Sequence, residues 1–459
     1  MGAETAESAR CPAVSWDELA AHDTHAVPRF LTESDAPYLG SDPIPVERYT
    51  SAAFFQAENE KMWPRVWQFV AREEEMPEPG DTVVYENAGR SFLLARQQDG
   101  SVRAFHNVCL HRGRKLRTES GRASAFRCPY HAFTWKLDGS LSHIPCRWDF
   151  PHLSDEKMRL PEAKVGQWAG YIFIRESEDG PSLEDFLAPM PAHFARWKHE
   201  ECYTAAWVGK IVAANWKATV EAFIEAFHVM ATHSQNLGFS GDANSKYMTW
   251  GENISCAITA FGTPSPHHGK ISTEQDVMDA FLRVKGGAGG DKRVAAGVGT
   301  SSVPEGSTAR RVMGEVNRAR FGEMTGRDLS GISDAEVMDA ISYHAFPNFG
   351  PWAGFMPNIV YRWRPWPDQD HTLMEVRLLQ RAKPGEMKTC APFRLLDANQ
   401  PMAESELGQL GFVLDQDWAN LPSVQAGMKL SKAGVVQLGN YQEVRVRQLH
   451  QALNRYLSA

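Results

Sequence analysis

Cys109-x-His111 and, after sixteen intervening residues, Cys128-Pro129-Tyr130-His131 set two thiols and two imidazoles in paired clusters, and no other feature constrains the fold as strongly. Two thiolates and two imidazoles suit an asymmetric [2Fe–2S] centre, one iron held by sulfur and the other by nitrogen. Replacing two anionic thiolates by neutral nitrogens leaves the reduced cluster less negative, so it accepts an electron more readily than an all-cysteine cluster. The competing reading is a Cys2His2 zinc site, whose donor types are the same. Zinc pairs usually keep their two cysteines together, whereas each cluster here mixes one Cys with one His, which favours iron–sulfur, a Rieske-type centre.

The surroundings suit two loops clamping a cluster. Thr82 to Tyr85, Ser91 to Arg96 and Val102 to Asn107 read as short strands with a turn at Asp99-Gly100, and Lys136 to Ser140 reads as a hairpin turn after the second ligand pair. The chain length of 459 residues allows two or three domains. A hydrophobic content of 43%, with 14 Trp and 23 Phe, supports large cores and an apolar pocket. A net charge of −8 argues against a nucleic-acid partner. Seven scattered cysteines imply no disulfide framework and fit a reducing cytoplasm. The amino terminus lacks a basic and apolar leader, and no stretch approaches ~20 apolar residues, so a soluble protein with no membrane span is expected.

Residues 1–46 read as a polar, proline-spotted arm and 47–62 as a helix packing on a catalytic domain. Residues 63–178 read as a β-rich cluster domain and 179–459 as that catalytic domain. Glu176 to Pro181 marks the boundary. Ile211 to Ala231 reads as one helix, residues 263–308, with their glycine runs, as a mobile insertion, and Asn440 to Tyr456 as a final amphipathic helix. Asn358 to Arg364 and Thr372 to Leu379 read as strands.

A cluster alone does not need so long a second domain. Glu225 and His228 are three apart, on one helical face, and His233 follows five residues later. Five residues turn a helix by about 140° from the preceding imidazole, so both can face one ion only across a break near Ala231-Thr232. Two His and a distant carboxylate make the facial triad of non-haem iron(II), which leaves positions open. The carboxylate is expected in Asp415-Gln416-Asp417-Trp418, whose acids would otherwise only serve a helix N-terminus. Phe223, Phe227, Met230, Phe239, Met248 and Trp250 either line a pocket or form core, and none is assigned to a site.

With Asn107-Val108-Cys109-Leu110-His111-Arg112-Gly113, Cys128-Pro129-Tyr130-His131, Asn215-Trp216-Lys217, the Glu225/His228/His233 run and Asp417 before Gln425-Ala426-Gly427, the chain resembles the α subunit of the Rieske non-haem iron oxygenases, the ring-hydroxylating oxygenase family. The resemblance implies an α+β fold, a β-rich Rieske [2Fe–2S] domain beside a helix-grip catalytic domain with a large antiparallel sheet. It implies that Cys109, His111, Cys128 and His131 hold the cluster and that His228, His233 and Asp417 hold mononuclear Fe(II). Glu225 resembles a bridging carboxylate that links a cluster histidine of one subunit to an iron histidine of its neighbour. A homotrimer is implied, with or without a β subunit. The chain departs from many relatives with Glu at 225 in place of Asp, with Ala222 and Phe227, and with Ala132-Phe133 in place of Gly-Trp.

The chemistry expected is insertion of oxygen from O2 into a small apolar, aromatic or polycyclic molecule, with electrons arriving from a ferredoxin or an NAD(P)H-dependent reductase, since no flavin or NAD fingerprint is present. Hydroxylation or oxidative demethylation by an α-only assembly stands beside cis-dihydroxylation by an α/β assembly. An electron carrier without catalysis and a zinc-stabilised binding protein are the other classes. Arg112, Arg114, Lys115 and Arg117 follow a cluster ligand; they either dock an acidic electron donor or brace the loop.

Overall fold

A computed structural model describes residues 10–269, 273–286, 302–356 and 358–458. It divides into two compact units: Gln56–Phe186, and the residues up to Phe55 together with Leu187–Ser458.

The smaller unit is built on a seven-stranded antiparallel sheet. Its strands are β1 (Gln68–Arg72), β2 (Asp81–Asn87), β3 (Arg90–Arg96), β4 (Val102–His106), β5 (Gly121–Arg122), β9 (Glu162–Trp168) and β10 (Tyr171–Arg175), in the order β1-β10-β9-β4-β3-β2-β5. A separate three-stranded sheet joins β6 (Phe126–Arg127), β7 (Thr134–Trp135) and β8 (Leu141–His143). Period-two alternation along β3 divides the interior. Phe92 and Leu94 enter a core with Val70, Tyr85, Ile172 and Ile174, while Leu93 enters another with Phe105, Phe126, Trp135, Cys109 and Cys128. The second core therefore backs the two ligand loops.

The larger unit centres on an eight-stranded sheet. Its strands are β11 (Cys202–Val212), β12 (Lys246–Trp250), β13 (Ile254–Thr259), β14 (Ala340–Ala345), β15 (Phe349–Pro351), β16 (Asn358–Pro365), β17 (Thr372–Arg381) and β18 (Arg394–Leu395). The order is β12-β13-β14-β15-β16-β17-β11-β18, antiparallel except for the β11–β18 pair. The helices around the site are α1 (Trp216–Glu221), α2 (Val229–Thr232), α3 (Glu274–Gly286), α4 (Ala309–Thr325), α5 (Gln409–Leu430) and α6 (Val444–Ser458). The amino-terminal arm is packed into this unit: Trp16 is buried and its indole N–H donates to Asp339 Oδ2 at 2.9 Å.

Two sequence expectations are corrected. Ile211 to Ala231 is not one helix: β11 runs through Val212, paired with β17 from Cys202 onward, and only α1 and the single turn α2 are helical. The β11–β17 ladder claims only Ile211 and Val212 of that stretch, β-branched residues that suit a strand, and the helical composition beyond them is interrupted by non-helical backbone over Ala222 to His228, between α1 and α2. Asn215 explains the start of α1, since its side chain accepts the Lys217 N–H as an N-cap. Within the 263–308 segment, α3 is a packed helix with Val277, Met278 and Ala280 buried. Residues 287–301, with the glycine runs assigned to a mobile insertion, lie outside the described residues. Among the described residues no helix is long and apolar enough to cross a membrane.

Candidate functional site

The two cluster loops are near copies in backbone. In one, the Cys109 N–H donates to Arg114 O (2.8 Å) and the Gly113 N–H to Cys109 O (2.9 Å). In the other, the Cys128 N–H donates to Phe133 O (2.8 Å) and the Ala132 N–H to Cys128 O (2.9 Å). Both turns reverse through a left-handed residue four after the cysteine, Gly113 at φ 78° and Ala132 at φ 60°. The turns leave the two thiols buried and bring the His111 and His131 rings to 4.6 Å between centroids.

Nδ1 of His111 and Nδ1 of His131 are both buried without a hydrogen-bond partner. Buried ring nitrogens normally find one, so two orphans beside two buried thiols fit a [2Fe–2S] group. Burial and the neighbouring His131 and Arg112 hold the His111 imidazole below its usual pKa, which keeps it in the neutral, ligating form.

The larger unit assembles the second donor set. Nε2 of His228 and Nε2 of His233 lie 3.5 and 3.1 Å from Asp417 Oδ1, and one donor atom from each of the three residues falls within 4.8 Å of the others. The break that lets both rings face one point is in place, because α2 ends at Thr232 and His233 leaves it at φ −119°, ψ 41°. Three donors on one side of a point fit an ion with open positions. Asp415, the other candidate acid, is occupied elsewhere: its carboxylate accepts the Met402 and Ala403 N–H groups at 2.8 and 3.0 Å.

Each imidazole is held from behind. Glu225 and His228 lie on the turn between α1 and α2, not on a helical face as the spacing suggested. Glu225 Oε2 accepts the His228 backbone N–H (3.1 Å), and Oε1 accepts Nδ1–H (2.5 Å). Burial pulls the His228 pKa down, but Glu225 and then Asp417 carry it above its ordinary value. His233 Nδ1–H donates to Gln416 Oε1 (2.9 Å). Gln416 in turn exchanges amide hydrogen bonds with Gln235, at 2.7 and 3.3 Å. Gln416 and Gln235 escaped the sequence reading, although a polar residue directly before an expected ligand was a usable signal.

His228, His233 and Asp417 form part of the wall of a cavity of about 420 Å³, otherwise mainly apolar, with Phe223, Phe261, Phe281, Phe321, Trp352 and Tyr361. Of the aromatic and methionine residues singled out from sequence, only Phe223 reaches it. Phe239 and Met248 are core, Trp250 stacks on Tyr343, and Phe227 and Met230 are exposed. Of the basic run, Lys115 pairs with Glu86, Arg112 lies over the Tyr130 ring at 5.3 Å, and Arg114 is exposed.

A β-rich unit presenting two Cys/His loops, joined in one chain to a large antiparallel sheet carrying a 2-His-1-carboxylate pocket, defines a protein with two metal centres, one for a cluster and one for a single ion. The family description "Rieske [2Fe-2S] domain" matches residues 66–154, and "Ring hydroxylating alpha subunit (catalytic domain)" matches residues 192–459. The chain belongs to the ring-hydroxylating α subunits of the Rieske non-haem iron oxygenases. That membership brings a [2Fe–2S] cluster and a mononuclear iron, and it removes the zinc reading.

The carnitine monooxygenase oxygenase subunit of Escherichia coli K12 is 34% identical over 200 residues, 43% of this chain and 53% of the relative. The large oxygenase component of the naphthalene 1,2-dioxygenase system of Pseudomonas aeruginosa is 36% identical over 196 residues, 40% of this chain and 42% of the relative. The chain thus spans about half the length of the curated relatives it matches. Among solved structures, a quaternary ammonium Rieske monooxygenase with L-carnitine aligns at a TM-score of 0.61 and 20% identity, covering 92% of this chain and 96% of that one. Naphthalene 1,2-dioxygenase with indole bound aligns at 0.65 and 20%, covering 92% and 94%. These likenesses establish the fold, an α+β architecture with a large antiparallel sheet.

Proposed function

We propose that the protein is a terminal oxygenase component that uses O2 and externally supplied electrons to hydroxylate, or oxidatively demethylate, an apolar aromatic or polycyclic small molecule. The observation that carries this reading is that the donor atoms of His228, His233 and Asp417 open onto a cavity whose mainly apolar wall includes the rings of Phe223, Phe261, Phe281, Phe321, Trp352 and Tyr361. At about 420 Å³ its size suits a compact ring system. Bound there, iron would activate O2 beside the substrate, while the cluster held by Cys109, His111, Cys128 and His131 would supply electrons singly. The protein's own part is to orient the two imidazoles through Glu225 and Gln416, to exclude water with the Phe, Trp and Tyr wall, and to hold the substrate ring against the open side of the triad.

In this reading Glu225, by family resemblance, also reaches a cluster histidine of a neighbouring subunit in a homotrimer. Exposed Arg112 and Arg114 support docking of an acidic ferredoxin or reductase, whereas Lys115, paired with Glu86, braces the loop. Seven free cysteines favour a cytoplasmic setting. The test is a single turnover of the reduced protein with aromatic, polycyclic and quaternary ammonium compounds, with products identified by mass. Oxygenated ring products are expected; oxidation of only the ammonium compounds would overturn the proposal.

A further inference from the structure

The large sheet supplies one wall of the cavity. Successive strand residues alternate between faces, so Ser255, Ala257 and Thr259 of β13 share one face. The register Ala257↔Ser342 and Thr259↔Ala340 puts Ala340 and Ser342 of β14 on the same face. Ala257, Thr259, Ala340 and Ser342 all line the cavity. β14 is paired on both sides, yet Ser342 is only half-buried, and its open side is the cavity.

Behind that wall lies a buried cation. Arg445 of α6 is 1% exposed. Its guanidinium donates through Nε to Ser255 Oγ at 3.0 Å and through Nη1 to Ser342 Oγ at 3.3 Å, two hydroxyls that are diagonal neighbours across β13 and β14. Nη2 is buried without a hydrogen-bond partner. Burial pulls the pKa of Arg445 down to about 10, which leaves it charged at neutral pH. Glu225 acts on it through space without forming an ion pair. Buried charges are ordinarily paired; this one is turned toward the cavity through a serine hydroxyl.

Resting on the reading above, we infer that the substrate is an apolar ring compound carrying a carbonyl oxygen, and that Ser342 receives this oxygen with its O–H while Arg445 strengthens the bond from behind. A hydroxyl has one hydrogen to donate and two lone pairs. Arg445 occupies a lone pair of Ser342, and among the described residues no acceptor takes the hydrogen, which leaves it to a ligand in the cavity. A hydroxyl that already accepts from a cation is polarised and donates more strongly. One hydrogen matches one neutral acceptor, whereas a carboxylate would bury a full charge against a single donor. Two neighbouring polar groups are engaged elsewhere: Thr259 Oγ1 lies 2.8 Å from Ser245 Oγ, and Asn317 Nδ2–H donates to Val337 O at 3.0 Å. An oxygen anchored at Ser342 sets which edge of the ring meets the triad and so which carbon is oxidised.

Isothermal titration of the iron-loaded holoprotein with 1-tetralone and with 1-methylenetetralin, in which a CH2 group replaces the oxygen, tests this, together with the infrared carbonyl stretch of bound 1-tetralone. The wild type is expected to bind the ketone about tenfold more tightly than the olefin, the scale of one polarised hydrogen bond, and to move the stretch below its position in an alkane solvent. Ser342→Ala should bring the ratio to within about twofold and abolish the shift. Arg445→Met, which removes the cation and keeps the Ser342 hydroxyl, should leave a smaller shift than the wild type. Equal binding of ketone and olefin by the wild type, or an advantage that survives Ser342→Ala, overturns the role of Ser342, and a shift unchanged in Arg445→Met overturns that of Arg445; the oxygenase reading stands in each case. Binding of neither bicyclic compound overturns the apolar-ring reading and the inference together.

Discussion

Replacing Ala132 by Gly should make the cluster domain more durable. Ala132 sits at φ 60°, the position that its sister loop gives to Gly113 at φ 78°. A left-handed conformation costs a non-glycine residue roughly 1–2 kcal/mol. Glycine recovers that strain but makes the unfolded chain more flexible, which returns roughly 0.5–1 kcal/mol. The net gain is about 0.7 kcal/mol, or about threefold in the population of an opened loop. The reciprocal change isolates the backbone effect, since a Cβ at Gly113 would meet nothing within 4 Å. Gly113→Ala should therefore cost about as much as Ala132→Gly gains. The assay is loss of visible cluster absorbance with excess chelator at elevated temperature. Ala132→Gly should bleach about threefold more slowly than wild type and Gly113→Ala correspondingly faster, with the double variant close to wild type. Unchanged or faster bleaching of Ala132→Gly, or a harmless Gly113→Ala, would refute the strain argument.

Asp417→Ala should remove mononuclear iron and leave the Rieske spectrum intact, whereas Asp415→Ala should keep the iron and lower stability by about 1–3 kcal/mol through the Met402 and Ala403 N–H groups it abandons, as iron analysis and melting curves would report. Gln416→Leu should weaken iron binding about 10–100-fold in competition with a chelator, because His233 loses the partner that fixes its tautomer. Glu225→Gln should retain both metals yet slow cluster reoxidation by orders of magnitude in rapid mixing of reduced protein, substrate and O2; wild-type rates would make Glu225 a local helix-turn acid only. His344 is buried, and burial with Arg445 nearby pushes its pKa down to about 3. The unfolded chain, with an ordinary imidazole near 6.5, then binds a proton that the folded state refuses, so stability falls as pH drops through the window between these values. The slope is about 1.4 kcal/mol per pH unit for one proton. Urea titrations at stepped pH should show a flatter dependence in His344→Gln.

Both centres were legible because their chemistry is written locally. The cluster loops carry two donors apiece within four residues, and the required break after His228 follows from helix geometry alone. The choice between Asp415 and Asp417 was also present in the sequence, though unused. On α5, Gly411, Leu414, Asp417, Leu421, Gln425 and Met428 form one buried stripe, and Asp415 falls outside it. What stayed hidden depends on partners far along the chain. Nothing near Ile211 and Val212 announces that they extend a ladder to Thr372–Arg381, and the Ala- and Glu-rich stretch after them does not reveal that its helix stops at Glu221 and resumes at Val229. The cavity wall was equally opaque, since Phe261, Phe281, Phe321 and Trp352 converge from four separate stretches. Core and pocket aromatics look alike until the fold brings them together.

The placement of α3 and α4 divides the pocket into a part that chemistry fixes and a part that is free to change. β13 and β14 pair directly through six residues each, and both helices belong to the long excursion between them. Phe281, Asn317, Arg320 and Phe321 come from that excursion and supply no iron donor. α5, by contrast, carries Asp417 together with Gln409, Leu410, Val413 and Leu414 of the wall, so a shift that reshapes its side of the cavity also displaces a ligand. Natural drift or directed evolution toward new substrates therefore has a route that leaves the ligands in place, changing the cavity-facing side chains of α3 and α4 while the sheet and the triad stay in register.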